Sequence, residues 1–269
     1  MPHIDLVSSA LAPGLSPVRV YYREAGTGRP IVILHGGWGY EAYAFDAAIE
    51  ALAPTHRVLA PDRVGYGRSG RVGALPRGFH RLMAEETLAV MDALGIRQAA
   101  LWGHSDGAVI AASMAFLAPG RVSAIVLEAL HYFPFKRSSV EFFETAVRDP
   151  EGFGPAVVEA CRRDHGDSWK EVLAAGGWAW LDLIDEGRRG RRDLYSGRLA
   201  EVRAPALLLH GARDPRTEPG ELDAAMAALP RARLALVDAG HSPHTGRESA
   251  RAIDLAVRFL GGEGWQPGR

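Results

Sequence analysis

Short apolar runs alternate along the chain with longer amphipathic segments. The runs at 30–34, 99–102 and 122–127 contain no charged residue, which is typical of strands buried on both faces of a parallel sheet. The segment at 18–23 alternates instead, and it favours an antiparallel edge hairpin with residues 4–7 across a turn rich in proline and glycine. Further strands are predicted at 57–60, 205–210 and 233–237. The pattern therefore predicts an α/β protein with a mostly parallel sheet.

Helical periodicity fills the intervals between these strands. Helices are predicted at 43–53, 79–94, 108–117, 221–228 and 248–260.

The alternation stops between residues 131 and 198, a segment rich in aromatic residues. There we expect a few short helices, broken at Pro134, Pro150, Pro155 and Gly176-Gly177, that form a lid over the carboxyl edge of the sheet. Residues 1–130 and 199–260 are then the two parts of one core, 131–198 is a helical lid, and 261–269 is a loose tail.

Composition and charge narrow the possible partners. Of the 269 residues, 47% are hydrophobic, and the net charge is −1, so neither nucleic acid nor an anionic membrane is indicated. Cys161 is the single cysteine, which excludes an intrachain disulfide and any multi-cysteine metal site. The first residues have no signal-peptide pattern, and no apolar stretch could span a membrane. We therefore expect a cytoplasmic monomer or homodimer that acts on a small molecule.

The stretch Gly103-His104-Ser105-Asp106-Gly107 lies between a predicted buried strand and a predicted buried helix. G-x-S-x-G by itself can occur by chance in a chain with 31 glycines, but a tight strand-to-helix turn gives it a chemical meaning. Such a turn places the serine hydroxyl clear of the fold, beside the unpaired N–H groups of a helix N-terminus. Ser105 is therefore a candidate nucleophile.

Other chemically useful residues follow the ends of the predicted strands. Since parallel strands bring their carboxyl ends to one edge of the sheet, these residues should lie near Ser105. They are 35–39 (His-Gly-Gly-Trp-Gly), Asp62, Glu128, Asp214 and His241. Histidine can accept the proton of a serine hydroxyl, and a carboxylate can hold the imidazole in the required tautomer. The glycine-rich loop either donates N–H groups to an oxyanion or is an ordinary turn.

Taken together, these motifs resemble those of serine hydrolases of the α/β-hydrolase fold. The resemblance covers nearly the whole chain outside the lid, and it implies an eight-stranded, mostly parallel sheet with helices on both faces. It also implies that Ser105 is the nucleophile, Asp214 the acid and His241 the base, with no metal or organic cofactor. The oxyanion hole would be the N–H of Asp106 with that of Gly37 or Trp38. The matching stretches are 35–39, 62–69, 103–107, 210–215 and 239–241.

Several residues near this site have a second interpretation. Glu128 lies where some members of the fold carry the acid, and His244 is interpreted as a surface or lid contact. Asp106 either stabilises the helix N-terminus or binds a substrate ammonium, as in amino-acid-ester hydrolases resembling valacyclovir hydrolase. The predicted substrate contacts are Asp106, Glu128, Tyr132 and Trp178.

The function expected from this resemblance is hydrolysis of a small, partly apolar ester through an acyl-enzyme on Ser105. Haloalkane dehalogenases and epoxide hydrolases of this fold carry aspartate at the position of Ser105, so those activities are disfavoured. Hydrolysis of a lactone or of the C–C bond of a ring-cleavage product would use the same three residues. A small-molecule receptor without turnover is the alternative of another class.

Overall fold

An eight-stranded sheet forms the centre of the protein, which we describe over residues 2–262 of a computed structural model. The strand order is β1-β2-β4-β3-β5-β6-β7-β8. In this sheet β2 runs in the direction opposite to that of the other seven strands. The mostly parallel sheet and its antiparallel edge hairpin are therefore confirmed. Residues 263–269 of the predicted tail lie outside the described residues. The strands are β1 (His3–Leu6), β2 (Val18–Ala25), β3 (Arg29–Leu34), β4 (His56–Pro61), β5 (Ala99–His104), β6 (Val122–Glu128), β7 (Ala206–Gly211) and β8 (Ala232–Val237).

Helices pack on both faces of the sheet, because the central strands are apolar on both faces. In β3, Val32 and Leu34 join the core that includes α2 and α3. Ile31 and Ile33 join the opposite core, which includes α1 and α8. The helices are α1 (Asp46–Leu52), α2 (Phe79–Ala93), α3 (Asp106–Leu117), α4 (Val140–Arg148), α5 (Pro155–His165), α6 (Trp169–Arg188), α7 (Glu221–Ala228) and α8 (Ser249–Leu260).

The segment between β6 and β7 carries α4, α5 and α6. The prediction that Gly176-Gly177 breaks a helix is wrong, because α6 runs through both glycines. A Cβ on Gly177 would lie 2.8 Å from Val147 Cγ2 and 3.0 Å from the Phe143 carbonyl oxygen. The missing side chain therefore allows α4 to pack closely against α6, and this packing outweighs the low helix propensity of glycine.

A buried carboxylate ties the first residues of this segment to the core. Glu221, at the start of α7, accepts hydrogen bonds from the backbone N–H groups of Tyr132 at 2.8 Å and Phe133 at 3.1 Å. Its second oxygen is paired with the Lys136 ammonium. Both side chains of this pair are 1% exposed, so each charge depends on the other for stabilisation.

Replacing Lys136 with methionine is expected to lower the free energy of unfolding by about 3 kcal/mol, because Glu221 would stay buried without its counter-ion. The measurement is urea unfolding followed by circular dichroism. Arg189→Met serves as the control, since Arg189 pairs with Asp185 at the surface, where both side chains are largely exposed. The decrease in the free energy of unfolding should be several times smaller in this variant. Equal losses in the two variants would contradict this account.

Candidate active site

The turn between β5 and α3 holds Ser105 in a strained backbone conformation, with φ 55° and ψ −118°. The flanking glycines are required by close approach of the backbone. A Cβ on Gly103 would lie 2.1 Å from the Gly107 carbonyl oxygen, and one on Gly107 would lie 2.0 Å from the Leu34 carbonyl oxygen. The Ser105 side chain consequently projects from the carboxyl edge of the sheet towards the segment above it.

The structure brings the three residues predicted as a triad into one hydrogen-bonded chain. Ser105 Oγ is 3.0 Å from His241 Nε2, and His241 Nδ1 is 2.9 Å from Asp214 Oδ2. With Nδ1–H donating to the carboxylate, Nε2 is free to accept the serine proton. Asp214 Oδ1 also accepts the backbone N–H of Arg216 at 2.9 Å, which fixes the carboxylate.

The charges around this chain favour a neutral imidazole next to an ionised carboxylate. Burial, together with the nearby Arg216 guanidinium, lowers the pKa of His241 to about 4. Burial raises the pKa of Asp214, but the hydrogen bond and charge of His241 and the Arg216 N–H outweigh it, leaving a pKa of about 2. A neutral His241 over a wide pH range is the state that a general base requires.

The pH profile of kcat/KM on a neutral ester is expected to follow this low pKa. Because the lowered pKa keeps His241 unprotonated at mildly acidic pH, activity should stay level from about pH 8 to about pH 5 and fall as pH approaches about 4. Circular dichroism at each pH separates loss of catalysis from unfolding. An acidic limb near pH 6.5, in protein that is still folded, would contradict the prediction.

The residues predicted for the oxyanion hole line the same cavity as Ser105. Two side chains hold the loop after β3: Arg63 donates to the Gly36 carbonyl oxygen at 2.7 Å, and His165 Nε2 donates to the Trp38 carbonyl oxygen at 2.9 Å. Asp106 is the first residue of α3, so its N–H has no acceptor within the helix. The donor role of Gly37, Trp38 and Asp106 stays a prediction.

The cavity is walled mainly by aromatic side chains from the core and from α4 and α6. These aromatic residues are Trp38, Tyr43, Phe142, Phe143 and Trp180. Trp38 stacks on Phe142 with ring centroids 4.9 Å apart, and Phe143 stacks on Trp180 at 5.1 Å. Besides the hydroxyls of Ser105 and Tyr43, the residues Asp106, His131 and Arg216 supply polar side chains, so a bound molecule would be largely apolar with a few polar groups.

Two predicted substrate contacts lie elsewhere. Trp178 is 57% exposed and does not line the cavity, whereas Gly177 and Trp180 do. Since α6 is one continuous helix, these two neighbours occupy its inner side and Trp178 points outwards. Tyr132 also lies outside the cavity lining, and its backbone N–H donates to Glu221.

Glu128 is fully buried and does not line the cavity. Its carboxylate accepts hydrogen bonds from Trp102 Nε1 at 2.9 Å and from His244 Nδ1 at 2.6 Å. Burial raises its pKa, but the His244 contacts outweigh this and bring it to about 2. The interpretation of His244 as a surface or lid contact is wrong, since its ring is buried and stacks on Phe45 at 3.9 Å.

Asp106 contributes an ionised carboxylate to the cavity wall. Its Oδ1 accepts hydrogen bonds from His80 Nε2 at 3.1 Å and from Trp180 Nε1 at 2.9 Å. Burial raises the pKa of this carboxyl, but the His80 hydrogen bond and nearby positive charge lower it overall. Recognition of a substrate ammonium by Asp106 stays a prediction.

Sequence reasoning missed a second histidine beside the nucleophile. His131 Nε2 lies 3.3 Å from Ser105 Oγ, and its ring stacks on that of His241 with centroids 5.4 Å apart. Burial, with the charge of Lys136, holds its pKa well below the usual value, so the ring is neutral. The one available signal was its place three residues after β6, at the same sheet edge as the other site residues.

No group of three or more histidine, cysteine, aspartate or glutamate side chains in residues 2–262 could hold a metal ion. No helix within those residues has the length and apolar character needed to cross a membrane.

A mostly parallel sheet with a serine on a strained strand-to-helix turn, facing histidine and aspartate, is the arrangement found in α/β hydrolases. The family model for the alpha/beta hydrolase fold matches residues 29–183. The chain belongs to this family, and it is a hydrolase of that fold.

Comparisons with individual proteins give a broad set of relatives. A protein of Azorhizobium caulinodans named for carbamate hydrolysis, RutD, is 39% identical over 109 residues, which is 40% of this chain and only 40% of that protein. The 2-hydroxy-6-oxononadienedioate/2-hydroxy-6-oxononatrienedioate hydrolase of Burkholderia vietnamiensis is 29% identical over 234 residues, covering 75% of this chain and 76% of that protein. A solved thermophilic esterase of Thermogutta terrifontis superposes with a TM-score of 0.75 at 21% identity, covering 97% of this chain and 99% of the esterase. That last likeness is one of fold.

Proposed function

We propose that the protein is a serine hydrolase that cleaves a small, partly apolar ester through an acyl-enzyme on Ser105. The observation that carries the proposal is the hydrogen-bonded chain from Ser105 Oγ through His241 to Asp214, with separations of 3.0 Å and 2.9 Å. The family also contains hydrolases of other bonds, so the choice of an ester depends on the residues around the serine.

In the acylation step, Ser105 Oγ attacks the ester carbonyl carbon while its proton passes to His241 Nε2. Negative charge develops on the former carbonyl oxygen, where the N–H of Asp106 and that of Trp38 or Gly37 would stabilise it. Asp214 stabilises the imidazolium that forms. As the bond to the alcohol breaks, His241 returns the proton to the leaving oxygen, and the acyl group remains on Ser105.

Deacylation repeats these steps with water. His241 Nε2 removes a proton from the water, whose oxygen attacks the acyl carbon, and the proton then passes to Ser105 Oγ as the acid leaves. The aromatic wall limits the number of water molecules near the acyl group.

A second candidate is hydrolysis of the C–C bond of a ring-cleavage product. It is favoured by the relative from Burkholderia vietnamiensis, which matches three quarters of this chain and is named for a hydroxy-oxo dienedioate. The same Ser105, His241 and Asp214 would serve this reaction. A receptor without turnover is disfavoured because all three residues are present in working geometry.

The test is to mix the protein with 4-nitrophenyl butyrate and to quench the reaction within milliseconds. Mass spectrometry of peptides is expected to find a butyryl group on Ser105, together with a burst of 4-nitrophenol. Absence of both adduct and turnover, with cleavage of a hydroxy-oxo dienoate in parallel assays, would favour the second candidate. Binding of small apolar ligands without cleavage of either substrate would favour a receptor.

The other expectations for the whole protein stay predictions. These are a small-molecule substrate rather than a nucleic-acid or membrane partner, a monomer or homodimer, and a cytoplasmic location.

A further inference from the structure

The cavity contains one cationic side chain that the catalytic chain does not use. Arg216 lines the cavity together with Ser105 and His131. Within residues 2–262 its guanidinium forms no ion pair with an aspartate or glutamate side chain, whereas nearby Arg213 is paired with Asp238. A guanidinium beside a buried site without a carboxylate partner leaves its charge available to a ligand.

Arg216 is held in place by the triad and by the lid. Its backbone N–H donates to Asp214 Oδ1 at 2.9 Å. Its guanidinium carbon lies 3.5 Å from the centre of the Phe142 ring and 5.8 Å from that of Trp38. Because the ring of Phe142 covers one face of the planar guanidinium, its N–H donors point outwards from the edge, where a hydrogen bond to the Tyr43 side chain uses part of the donor set.

The electrostatic influence of Arg216 reaches both sides of the site. Burial raises the pKa of Tyr43, another cavity residue, and the Arg216 guanidinium beside it acts in the opposite direction. Burial lowers the pKa of His241, and Arg216 is the next largest cause.

The other ionised group in the cavity lining is Asp106, whose Oδ1 is already occupied by His80 and Trp180. A carboxylate on a bound molecule would be repelled by Asp106 and attracted by Arg216. The two charges therefore define one orientation for an anionic substrate.

We propose that Arg216 binds a carboxylate of the substrate, so that the preferred substrates are esters carrying a second, ionised carboxyl group. This inference rests on the proposed serine-ester chemistry and names the substrate class for the same site. The guanidinium offers two parallel N–H donors to the two carboxylate oxygens, while the apolar part of the ester packs against the aromatic wall.

The test uses two matched pairs of esters with wild type and Arg216→Gln. In the first pair the carboxylate is on the acyl side, in 4-nitrophenyl hemisuccinate against 4-nitrophenyl butyrate. In the second it is on the alcohol side, in 4-acetoxybenzoate against phenyl acetate. The readout is the ratio of kcat/KM for the anionic ester to that for the neutral ester, which cancels any general change in the triad.

For at least one pair of esters, the ratio of the two kcat/KM values is expected to fall about 30-fold in Arg216→Gln, mainly because KM for the anionic ester rises. Arg216→Lys should recover part of it, because lysine keeps the charge but not the paired donors. Arg213→Gln is the matched control: it removes one positive charge close by in the chain, at the surface, and should leave both ratios unchanged. Ratios that are the same in wild type and Arg216→Gln for both pairs would overturn the proposal.

A binding measurement separates failure of this inference from failure of the proposed function. Calorimetric titration of Ser105→Ala with 4-acetoxybenzoate does not require turnover. Binding by this variant that is lost in Ser105→Ala/Arg216→Gln would support the carboxylate site even if no ester were cleaved. A different result would be cleavage that depends on Ser105 but shows no effect of Arg216 on selectivity or binding. This result would support the serine chemistry and reject the carboxylate site.

Discussion

Ser105→Ala is expected to lower kcat for 4-nitrophenyl butyrate by about 10⁶-fold, to the level set by the cavity and its N–H donors alone. The reason is that the acyl-enzyme cannot form without Oγ, and His241, whose Nε2 is 3.0 Å from that oxygen, then has no proton to accept. The variant should fold normally, because removal of a hydroxyl leaves the glycine contacts of the turn unchanged.

The matched control for this prediction is Ser113→Ala, in the same helix. Ser113 Oγ donates to the Val109 carbonyl oxygen at 2.8 Å, away from the cavity, so its loss should leave kcat within about twofold. Initial rates are measured with enzyme purified in separate preparations to limit contamination by wild type. A residual rate in Ser105→Ala within tenfold of wild type would remove Ser105 from the reaction.

Asp214→Asn is expected to lower kcat by about 10⁴-fold, with a much smaller change in KM. The carboxylate accepts Nδ1–H of His241 at 2.9 Å, and this hydrogen bond keeps the proton on Nδ1 and leaves Nε2 unprotonated. An asparagine amide can donate to Nδ1 instead, which favours the tautomer with the proton on Nε2, where it blocks proton transfer from Ser105.

Glu128→Gln tests the alternative acid in the same assay. Glu128 is bound to Trp102 and His244, so we expect its replacement to lower the free energy of unfolding and to leave kcat far less affected than Asp214→Asn does. Thermal unfolding and kcat are measured for both variants. A loss of kcat as large in Glu128→Gln as in Asp214→Asn, in folded protein, would assign the acid role to Glu128.

Much of the fold could be predicted because it depends on local patterns. The apolar run that became β3 has side chains in both cores, so its buried, two-faced character is present in the sequence. The strained turn at Ser105 was also predictable, since Gly103 and Gly107 occupy positions where any Cβ would meet backbone atoms. Such steric requirements act over a few residues, so a short sequence motif is enough to predict the turn.

The segment between β6 and β7 and the polar part of the cavity were less predictable, because they depend on contacts between distant segments. Gly176-Gly177 is usually a helix breaker, and only the packing of α4 against Gly177 shows why α6 continues. The direction of α6 in turn decides that Trp180 faces the cavity and Trp178 faces solvent. Propensity is a weak guide where tertiary packing supplies more free energy.

The sequence by itself determined the order of strands and helices and the turn at Ser105, because each depends on residue types at short spacing. The acid and base candidates followed from their places after predicted strands and from the resemblance to a known family. Only the tertiary structure decided that Glu128 is paired with His244 in the interior and that His131 lies beside Ser105. It also decided that Arg216 lines the cavity and, among residues 2–262, has no carboxylate side chain as an ion-pair partner. These outcomes depend on which buried polar groups from distant parts of the sequence come into contact. Burial makes an unpaired charge costly, so the partners available in three dimensions, rather than those nearby in sequence, set the role of each group.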